Sequence, residues 1–462
     1  RRPRRGVINV MIKMVPVLVL LLAASAPQES RKPSILFIHA DDLGYGDLGC
    51  YGQKKIRTPR LDRMAAEGLR FTQYYAGNTV CAPSRCALMT GYHMGHAYIR
   101  GNAELPLRAE DVTVAKLLKG AGYATAVIGK WGLGLENNSG RPDRQGFDYS
   151  FGYLDHVHAH RQYTDHLFRN GERVELDGKT WSNDLFTQES LDFIDRNKAT
   201  PFFLYLNYTN PHAELLVPGD SLEEYQGKFP ETPWVSGRGD APGAKGYRSQ
   251  PTPHAAYASM ITRMDRDVGR ILDALKEKGL DENTLVFFTS DNGPHREGGA
   301  DPDFFQSYGP LRGIKRDLTE GGIRMPMIAR WPGKIAPGRT TDHVSAHWDF
   351  LPTACELAGA KIPEGLDGLS YAPTLLGKEQ KPHDDLYWEF FERGYDQAIR
   401  MGDWKGIRNG LGEPLQLYNL ATDLHEDRNV AEQNPELVAK LEARMKAART
   451  DSQKWVPKKG KK

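Results

Sequence analysis

Two oxygen-rich pairs in the sequence could hold a metal ion. Asp41-Asp42 and Asp291-Asn292 each follow a short apolar run directly. Either pair alone is typical of a turn or a helix cap. Together they offer carboxylate and amide oxygens, which suit Ca²⁺ or Mg²⁺ better than zinc. The pairs therefore predict a site for one hard cation.

Cys81 opens a second reactive segment, which ends at Arg85. A cysteine alone suits a small buried side chain or half of a disulfide. Four cysteines in 462 residues exclude a disulfide-stapled scaffold. Cys50 is a better disulfide partner for Cys81 than its near neighbour Cys86, and the sequence leaves open whether Cys50 and Cys86 pair.

Apolar strands and amphipathic helices alternate through most of the chain. This alternation predicts an α/β fold with a large, mostly parallel sheet and helices on both faces. Ligands of such sheets bind outside the carboxyl ends of the strands, so we expect the polar side chains there to converge. The predicted strands are 34–40, 124–128, 201–207 and 285–289, and the predicted helices are 113–120, 185–196 and 257–278.

Two long stretches, 137–165 and 214–253, are irregular and rich in glycine, and we interpret them as walls of a substrate pocket. Short antiparallel strands and an amphipathic helix are predicted after residue 377. The sequence thus predicts a catalytic domain over residues 31–377 and a smaller α+β domain over 378–462.

Composition and the first residues bear on location and partners. The net charge is only +2 and the chain carries no basic block outside its ends, so nucleic acid is not the expected partner. Residues 1–30 contain a lysine, a short apolar run and Ala24-Ser25-Ala26, which is typical of a secretory signal peptide. This run is too short for a stable membrane span. We therefore expect a secreted or periplasmic protein.

The segment around Cys81 resembles the activation motif of the type I sulfatases. Cys81-x-Pro83-x-Arg85, followed by Thr90-Gly91, is the signature of that family. Further matches are Asp41-Asp42, Gly129-Lys130-Trp131, Asn210-Pro211-His212, Asp291-Asn292-Gly293 and Arg312-Gly313-Ile314-Lys315, so that the resemblance covers roughly 33–332. It implies an alkaline-phosphatase-like fold.

The resemblance implies a role for each matched position. A formylglycine-generating enzyme would convert Cys81 to formylglycine, the nucleophile that attacks sulfur. Asp41, Asp42, Asp291, Asn292 and the modified Cys81 would hold one Ca²⁺. Arg85 would pin the aldehyde hydrate, Lys130 and Lys315 would bind sulfate oxygens, and His212 would protonate the leaving alcohol.

The sequence departs from the family pattern at Gly132. Many family members carry a histidine there, which is assigned to the breakdown of the sulfated intermediate. We predict that another base replaces it, with His158 or His160 as the first candidates and Lys130 as a third.

The substrate is predicted from the loops alone. His158, His160 and His295 could hydrogen-bond sugar hydroxyls, which favours a sulfated carbohydrate such as a galactose or N-acetylgalactosamine sulfate. The alternatives are a phosphodiesterase or phosphonate hydrolase of the same superfamily, and an inactive protein that binds sulfated glycans.

Overall fold

The computed structural model describes residues 3, 6, 32–103, 105–240 and 246–459. Apart from Pro3 and Gly6, the predicted signal peptide lies outside these residues. Within the part that is described, no helix combines the length and the apolar character needed to cross a membrane.

A large mixed sheet forms the centre of the fold, with the strand order β10-β2-β9-β8-β1-β7-β3-β4-β5-β6 and β11 paired to β2. Strands β8, β1, β7, β3 and β4 are parallel neighbours, whereas β9, β5 and β6 add antiparallel pairs. The strands are β1 (Ser34–Asp41), β2 (Leu69–Tyr75), β3 (Ala124–Lys130), β4 (Tyr149–Tyr153), β5 (His166–Arg169), β6 (Glu172–Glu175), β7 (Phe202–Pro211), β8 (Thr284–Ser290), β9 (Arg324–Arg330), β10 (Arg339–Thr341) and β11 (Ser345–Ala346).

Helices cover both faces of this sheet, as the alternation predicts. Each predicted helix forms, and Thr113 caps one of them by accepting a hydrogen bond from the Lys116 amide. The helices are α1 (Pro59–Ala66), α2 (Cys81–Thr90), α3 (Val114–Gly120), α4 (Ser182–Arg196), α5 (Gly219–Leu222), α6 (Pro253–Glu277), α7 (Pro302–Phe305), α8 (Glu320–Ile323), α9 (Phe350–Ala358), α10 (Ala372–Leu375) and α11 (Pro435–Ala447).

Strand β1 shows how two cores hold the sheet. All of its residues are buried, and successive side chains point to opposite faces. Ile35 and Phe37 pack in the core beneath α2, α3 and α9, whereas Leu36 and Ile38 pack in the core beneath α1, α4 and α6. Each such side chain contributes about 1.5–3 kcal/mol when fully buried. The strand ends are therefore fixed from both sides.

One of the stretches predicted to be irregular contains a strand of the sheet. Strand β4 lies within 137–165 and pairs with β3. Gly152 carries no side chain, and a Cβ there would lie 2.0 Å from the Gly129 carbonyl oxygen. The strand is short and holds glycine at this close approach, so it lacks the apolar pattern that reveals β1.

A second, antiparallel sheet follows near the carboxyl terminus. It has the order β12-β13-β14-β15, with β12 (Leu386–Phe390), β13 (Asp396–Met401), β14 (Trp404–Asn409) and β15 (Gln416–Asn419). Leu441 and Met445 of α11 pack against it. These elements confirm the predicted small antiparallel unit with its helix, while the domain boundary at 377 stays a prediction.

Candidate active site

Four parallel strands deliver polar side chains to one edge of the sheet. Lys130 and Asp41 are the last residues of β3 and β1, and His212 and Asp291 directly follow β7 and β8. These strands are neighbours in the order β8-β1-β7-β3, so their carboxyl ends bring the four side chains together. The convergence predicted from the sequence therefore forms.

Cys81 reaches the same edge from the first turn of α2. The side chain is buried, and its Sγ atom forms a cluster with carboxylate oxygens of Asp41 and Asp291, all within 4.8 Å of one another. The Asn102 Oδ1 atom lies 3.9 Å from this sulfur and accepts a hydrogen bond from the Ala82 amide at 3.1 Å. The start of the helix is thereby anchored.

The cysteines form no disulfide. Cys50, Cys81, Cys86 and Cys355 all carry free thiols. Burial raises the pKa of the Cys81 thiol, although Lys130 and Lys315 oppose the shift. The unmodified side chain is therefore a neutral thiol, which is a weak nucleophile.

Arg85 lies one turn after Cys81 and bonds groups on or directly after the three strands β3, β7 and β8. Its Nη2 atom donates to Asp291 Oδ2 at 2.8 Å, and its Nη1 atom donates to the Lys130 carbonyl at 2.9 Å and to Asn207 Oδ1 at 3.0 Å. The guanidinium is fully buried. It fixes the positions of these groups and offsets the Asp291 charge.

Two buried lysines neutralise the other carboxylates. Lys130 Nζ donates to Asp41 Oδ2 at 2.6 Å, and Lys315 Nζ donates to Asp42 Oδ2 at 2.7 Å. We call the whole set the charged cluster; its members are Asp41, Asp42, Cys81, Arg85, Lys130, Asp291, Asn292 and Lys315. Its three carboxylates and three cationic side chains balance.

The oxygens of the charged cluster fit a hard cation. Asp41 Oδ1 and Asn292 Oδ1 are buried, and neither has a hydrogen-bond partner among the described residues. Asn292 Nδ2 donates to Asp42 Oδ1 at 2.6 Å, which turns the amide oxygen away from that carboxylate. Buried acceptors without partners are costly, and a cation bound by these oxygens would satisfy them.

The carboxylates differ in how readily they ionise. Burial and the Asp41 charge raise the pKa of Asp291 to about 7. Burial also opposes ionisation of Asp41, but Lys130 and Arg85 outweigh it and hold the pKa of Asp41 well below its usual range. Asp291 is therefore the carboxylate whose charge most needs a further cation nearby.

His212 lies at the edge of the charged cluster. Its Nδ1 atom is hydrogen-bonded to the Ala213 carbonyl oxygen, and its Nε2 atom is 3.4 Å from Asp42 Oδ2. Burial and the Lys315 charge hold the pKa of His212 well below its usual value. The imidazole is therefore neutral in the ligand-free protein.

The three loop histidines predicted for substrate contact have different positions. His160 stacks on His212, with ring centroids 4.3 Å apart. The His295 ring also stacks near His212, with centroids 5.4 Å apart. His158 instead hydrogen-bonds Thr164 and stacks on His166. The described contacts thus bring His160 and His295 to the site but not His158.

Gly132 continues the chain beyond Lys130 with a φ of +75°. A Cβ atom there would lie 3.6 Å from the Cβ atom of His156. The position is thus open to a side chain in space, but its left-handed backbone favours glycine. The imidazoles beside His212 come from His160 and His295, and not from position 132.

Sequence reasoning missed several groups at this edge. Asn102 and Asn207 hold Cys81 and Arg85 through side-chain oxygens. Tyr247 packs beside His212 and His160. Only Asn207, at the end of an apolar run, carried a sequence signal.

Comparison with known proteins agrees with this fold and cluster. The family described as Sulfatase matches residues 33–360, and the family described as N-sulphoglucosamine sulphohydrolase, C-terminal, matches residues 314–451. The fold and its charged cluster define an enzyme with a mostly parallel α/β sheet that hydrolyses anionic esters. More particularly, the chain belongs to the sulfatase family of the alkaline phosphatase superfamily and is a sulfuric ester hydrolase.

Relatives cover nearly the whole chain. An arylsulfatase of Hemicentrotus pulcherrimus is 32% identical and covers 93% of this chain and 80% of its own length. An N-acetylgalactosamine-6-O-sulfatase of Bacteroides thetaiotaomicron is 30% identical, with coverage of 92% and 94%. The solved structure of Ps i-CgsB in complex with k-i-k-neocarrahexaose is 30% identical, with coverage of 90% and 92% and a TM-score of 0.77.

Proposed function

We propose that the protein is an exported sulfatase that releases sulfate from a sulfated carbohydrate, with Cys81 converted to formylglycine and one Ca²⁺ in the charged cluster. The observation that carries this proposal is the position of Cys81: it lies between two carboxylates, with the ammonium groups of Lys130 and Lys315 beside them. This environment suits an anion-transfer reaction and not thiolate chemistry.

Each member of the charged cluster has a proposed role in hydrolysis of the sulfate ester. Formylglycine at position 81 would supply a hydrated aldehyde as the nucleophile, and a bound Ca²⁺ would supply Lewis-acid polarisation of the sulfate. Asp41, Asp42, Asp291 and Asn292 would hold the ion through their side-chain oxygens. Lys130 and Lys315 are placed to bind the remaining sulfate oxygens, and their charges offset that of the ester.

His212 is the proposed proton donor to the leaving alcohol. Because Nδ1 is bonded to the Ala213 carbonyl, Nε2 is the atom available to the substrate. A sulfate bound between Lys130 and Lys315 would offset the charges that now depress the pKa of His212. An anionic substrate would therefore favour protonation of His212.

His160 is the proposed replacement for the histidine absent at Gly132. It lies in stacking contact with His212, and the charges that act on it include Lys130, Lys315 and Asp41. Burial and these lysines hold the pKa of His160 well below its usual value, so it is neutral and can accept a proton. His158 has no such position.

The carbohydrate substrate is supported by the relatives. One is named an N-acetylgalactosamine-6-O-sulfatase, and a solved relative binds a neocarrahexaose. We therefore propose a galactose or N-acetylgalactosamine sulfate within a glycan. Export, directed by the signal-peptide pattern of residues 1–30, would bring the enzyme to such a substrate. The formylglycine-generating enzyme would modify Cys81 during maturation.

Mass spectrometry of the Cys81 peptide, combined with a sulfate-release assay, tests the proposal. We expect formylglycine at position 81 and sulfate release from galactose or N-acetylgalactosamine sulfates. Active protein with an ordinary thiol throughout would contradict the proposed nucleophile. A higher specificity constant on phosphate esters than on matched sulfate esters would favour the phosphonate-hydrolase alternative, and inactive protein with an unconverted Cys81 would favour glycan binding alone.

A further inference from the structure

A tyrosine from the second long irregular stretch packs beside the proposed proton donor. The Tyr247 ring lies 6.0 Å from that of His212 and 5.6 Å from that of His160. The residue is half-buried, whereas His212 is buried. The three rings together form one wall at the outer end of the charged cluster.

The charges of the cluster also act on the pKa of Tyr247. Burial raises the pKa of Tyr247, and the charges that act on it include Lys315, Glu297 and Asp42. The group is therefore a neutral phenol at any ordinary pH. A neutral phenol offers an apolar ring face and one hydroxyl, which is the combination that suits a sugar ring.

A buried ion cluster fixes these rings. Glu214 is fully buried and accepts hydrogen bonds from Arg248 at 2.6 and 3.0 Å and from Arg161 at 3.2 Å. The Glu214 amide also donates to the His160 carbonyl at 3.2 Å. Arg161 and Arg248 directly follow His160 and Tyr247 in the sequence, so the ion pairs tie both loops to the end of β7.

We call His160, Tyr247, Arg161, Arg248 and Glu214 the aromatic rim. Burying an ion pair gains little stability in itself, because desolvation costs about as much as the attraction returns. The geometry, in contrast, is well defined: three loops meet at one carboxylate. Glu214 therefore acts as a positioning residue, through the arginines, on the rings beside His212.

The position of a sulfate ester follows from the charged cluster. Its sulfate lies against Lys130 and Lys315, and its leaving oxygen must face His212 for proton transfer. The sugar attached to that oxygen then lies on the outer side of His212, where Tyr247 is. We propose that Tyr247 forms the sugar-binding subsite for the pyranose that carries the sulfate, held in place by Glu214. This subsite rests on the proposed sulfatase function.

Tyr247→Ala, Tyr247→Phe and Glu214→Gln test the subsite. Each variant is assayed on a galactose or N-acetylgalactosamine sulfate, and inhibition by inorganic sulfate is measured beside inhibition by the desulfated sugar. We expect Tyr247→Ala to raise KM for the sugar sulfate about tenfold and to weaken inhibition by the sugar equally. Inhibition by inorganic sulfate should not change, because the charged cluster is intact.

The other two variants test the contribution of the Tyr247 ring separately from its positioning by Glu214. Tyr247→Phe keeps the ring and should retain most of the sugar affinity. Glu214→Gln should raise KM for the sugar sulfate more than it lowers kcat, as expected when a contact is loosened and the chemistry is kept. Tyr308→Ala, a change in a partly exposed tyrosine that hydrogen-bonds Asp303, is the matched control and should change neither value.

The outcomes distinguish this subsite from the function on which it rests. Wild-type enzyme that releases no sulfate from these sugars would overturn both. Active wild-type enzyme whose KM and sugar inhibition are unchanged in folded Tyr247→Ala would overturn the subsite alone. Equal weakening of inhibition by inorganic sulfate would also overturn it, because Tyr247 would then act on the charged cluster.

Discussion

The charged cluster and the aromatic rim are neighbours but are built in opposite ways. The cluster lies at the ends of strands packed between two cores, and Lys130 and Arg85 are fully buried there. The rim lies on connections, and Tyr247 is half exposed. In the proposed function, sulfate chemistry is thus fixed by the sheet, whereas sugar recognition is assigned to loops. Such loops can change in sequence without disturbing the strand ends.

The largest expected effect belongs to the inner region. Cys81→Ala removes the proposed nucleophile and should lower turnover at least about 10³-fold on every sulfate ester, whatever its alcohol. Sulfate release measures the loss, and thermal unfolding shows whether the fold is kept. Cys355→Ala, a change at a buried cysteine of α9, is the matched control and should remain active. Substantial activity in Cys81→Ala would mean that the charged cluster does not supply the nucleophile, and the proposed division between a catalytic cluster and a sugar-binding rim would be wrong.

The next effect tests whether the inner region is a cation site. Asp42→Asn removes one charge and the ion pair to Lys315, and should lower both Ca²⁺ affinity and activity about 10²-fold. Calorimetric titration of chelator-treated protein with Ca²⁺ measures affinity and should give one ion per chain. Asp427→Asn, at an exposed carboxylate, is the control. Chelator-treated enzyme that retains full activity would rule out the metal's role.

The same division explains how far the sequence predicts the site. Asp41, Lys130 and Asp291 follow apolar strands directly, so their convergence can be read from the pattern of the chain. Glu214 and Arg248 cannot be read this way. Their contact joins residues 34 positions apart across irregular backbone, which has no periodicity to predict it. Strand β4 was missed for a related reason, because Gly152 interrupts its apolar pattern.

A smaller effect probes the border between the two regions. His160 contacts both His212 and Tyr247, and His160→Ala should lower kcat about tenfold to 10²-fold through loss of the replacement base. A burst of released alcohol before a slow steady state should accompany the loss. His158→Ala is the control, since that ring pairs with Thr164 and His166. If His158→Ala has the larger effect, or His160→Ala keeps normal turnover, the replacement base lies elsewhere.

The last effect is a pH dependence of Ca²⁺ affinity that belongs to the charged cluster alone. In metal-free protein the pKa of Asp291 is raised from 3.8 to about 7, by burial and by Asp41. The stability gained from its protonated form is complete below about pH 4 and is lost as the pH rises through 7. Ca²⁺ must displace that proton, so its affinity should rise about tenfold per pH unit up to 7 and then level off. Calcium titrations between pH 5.5 and 8.5 measure this slope, and Tyr247→Ala should leave it unchanged. A flat profile in the wild-type protein would mean that Asp291 is already ionised without the metal, whereas a slope altered by Tyr247→Ala would mean that the rim and the cluster titrate as one unit.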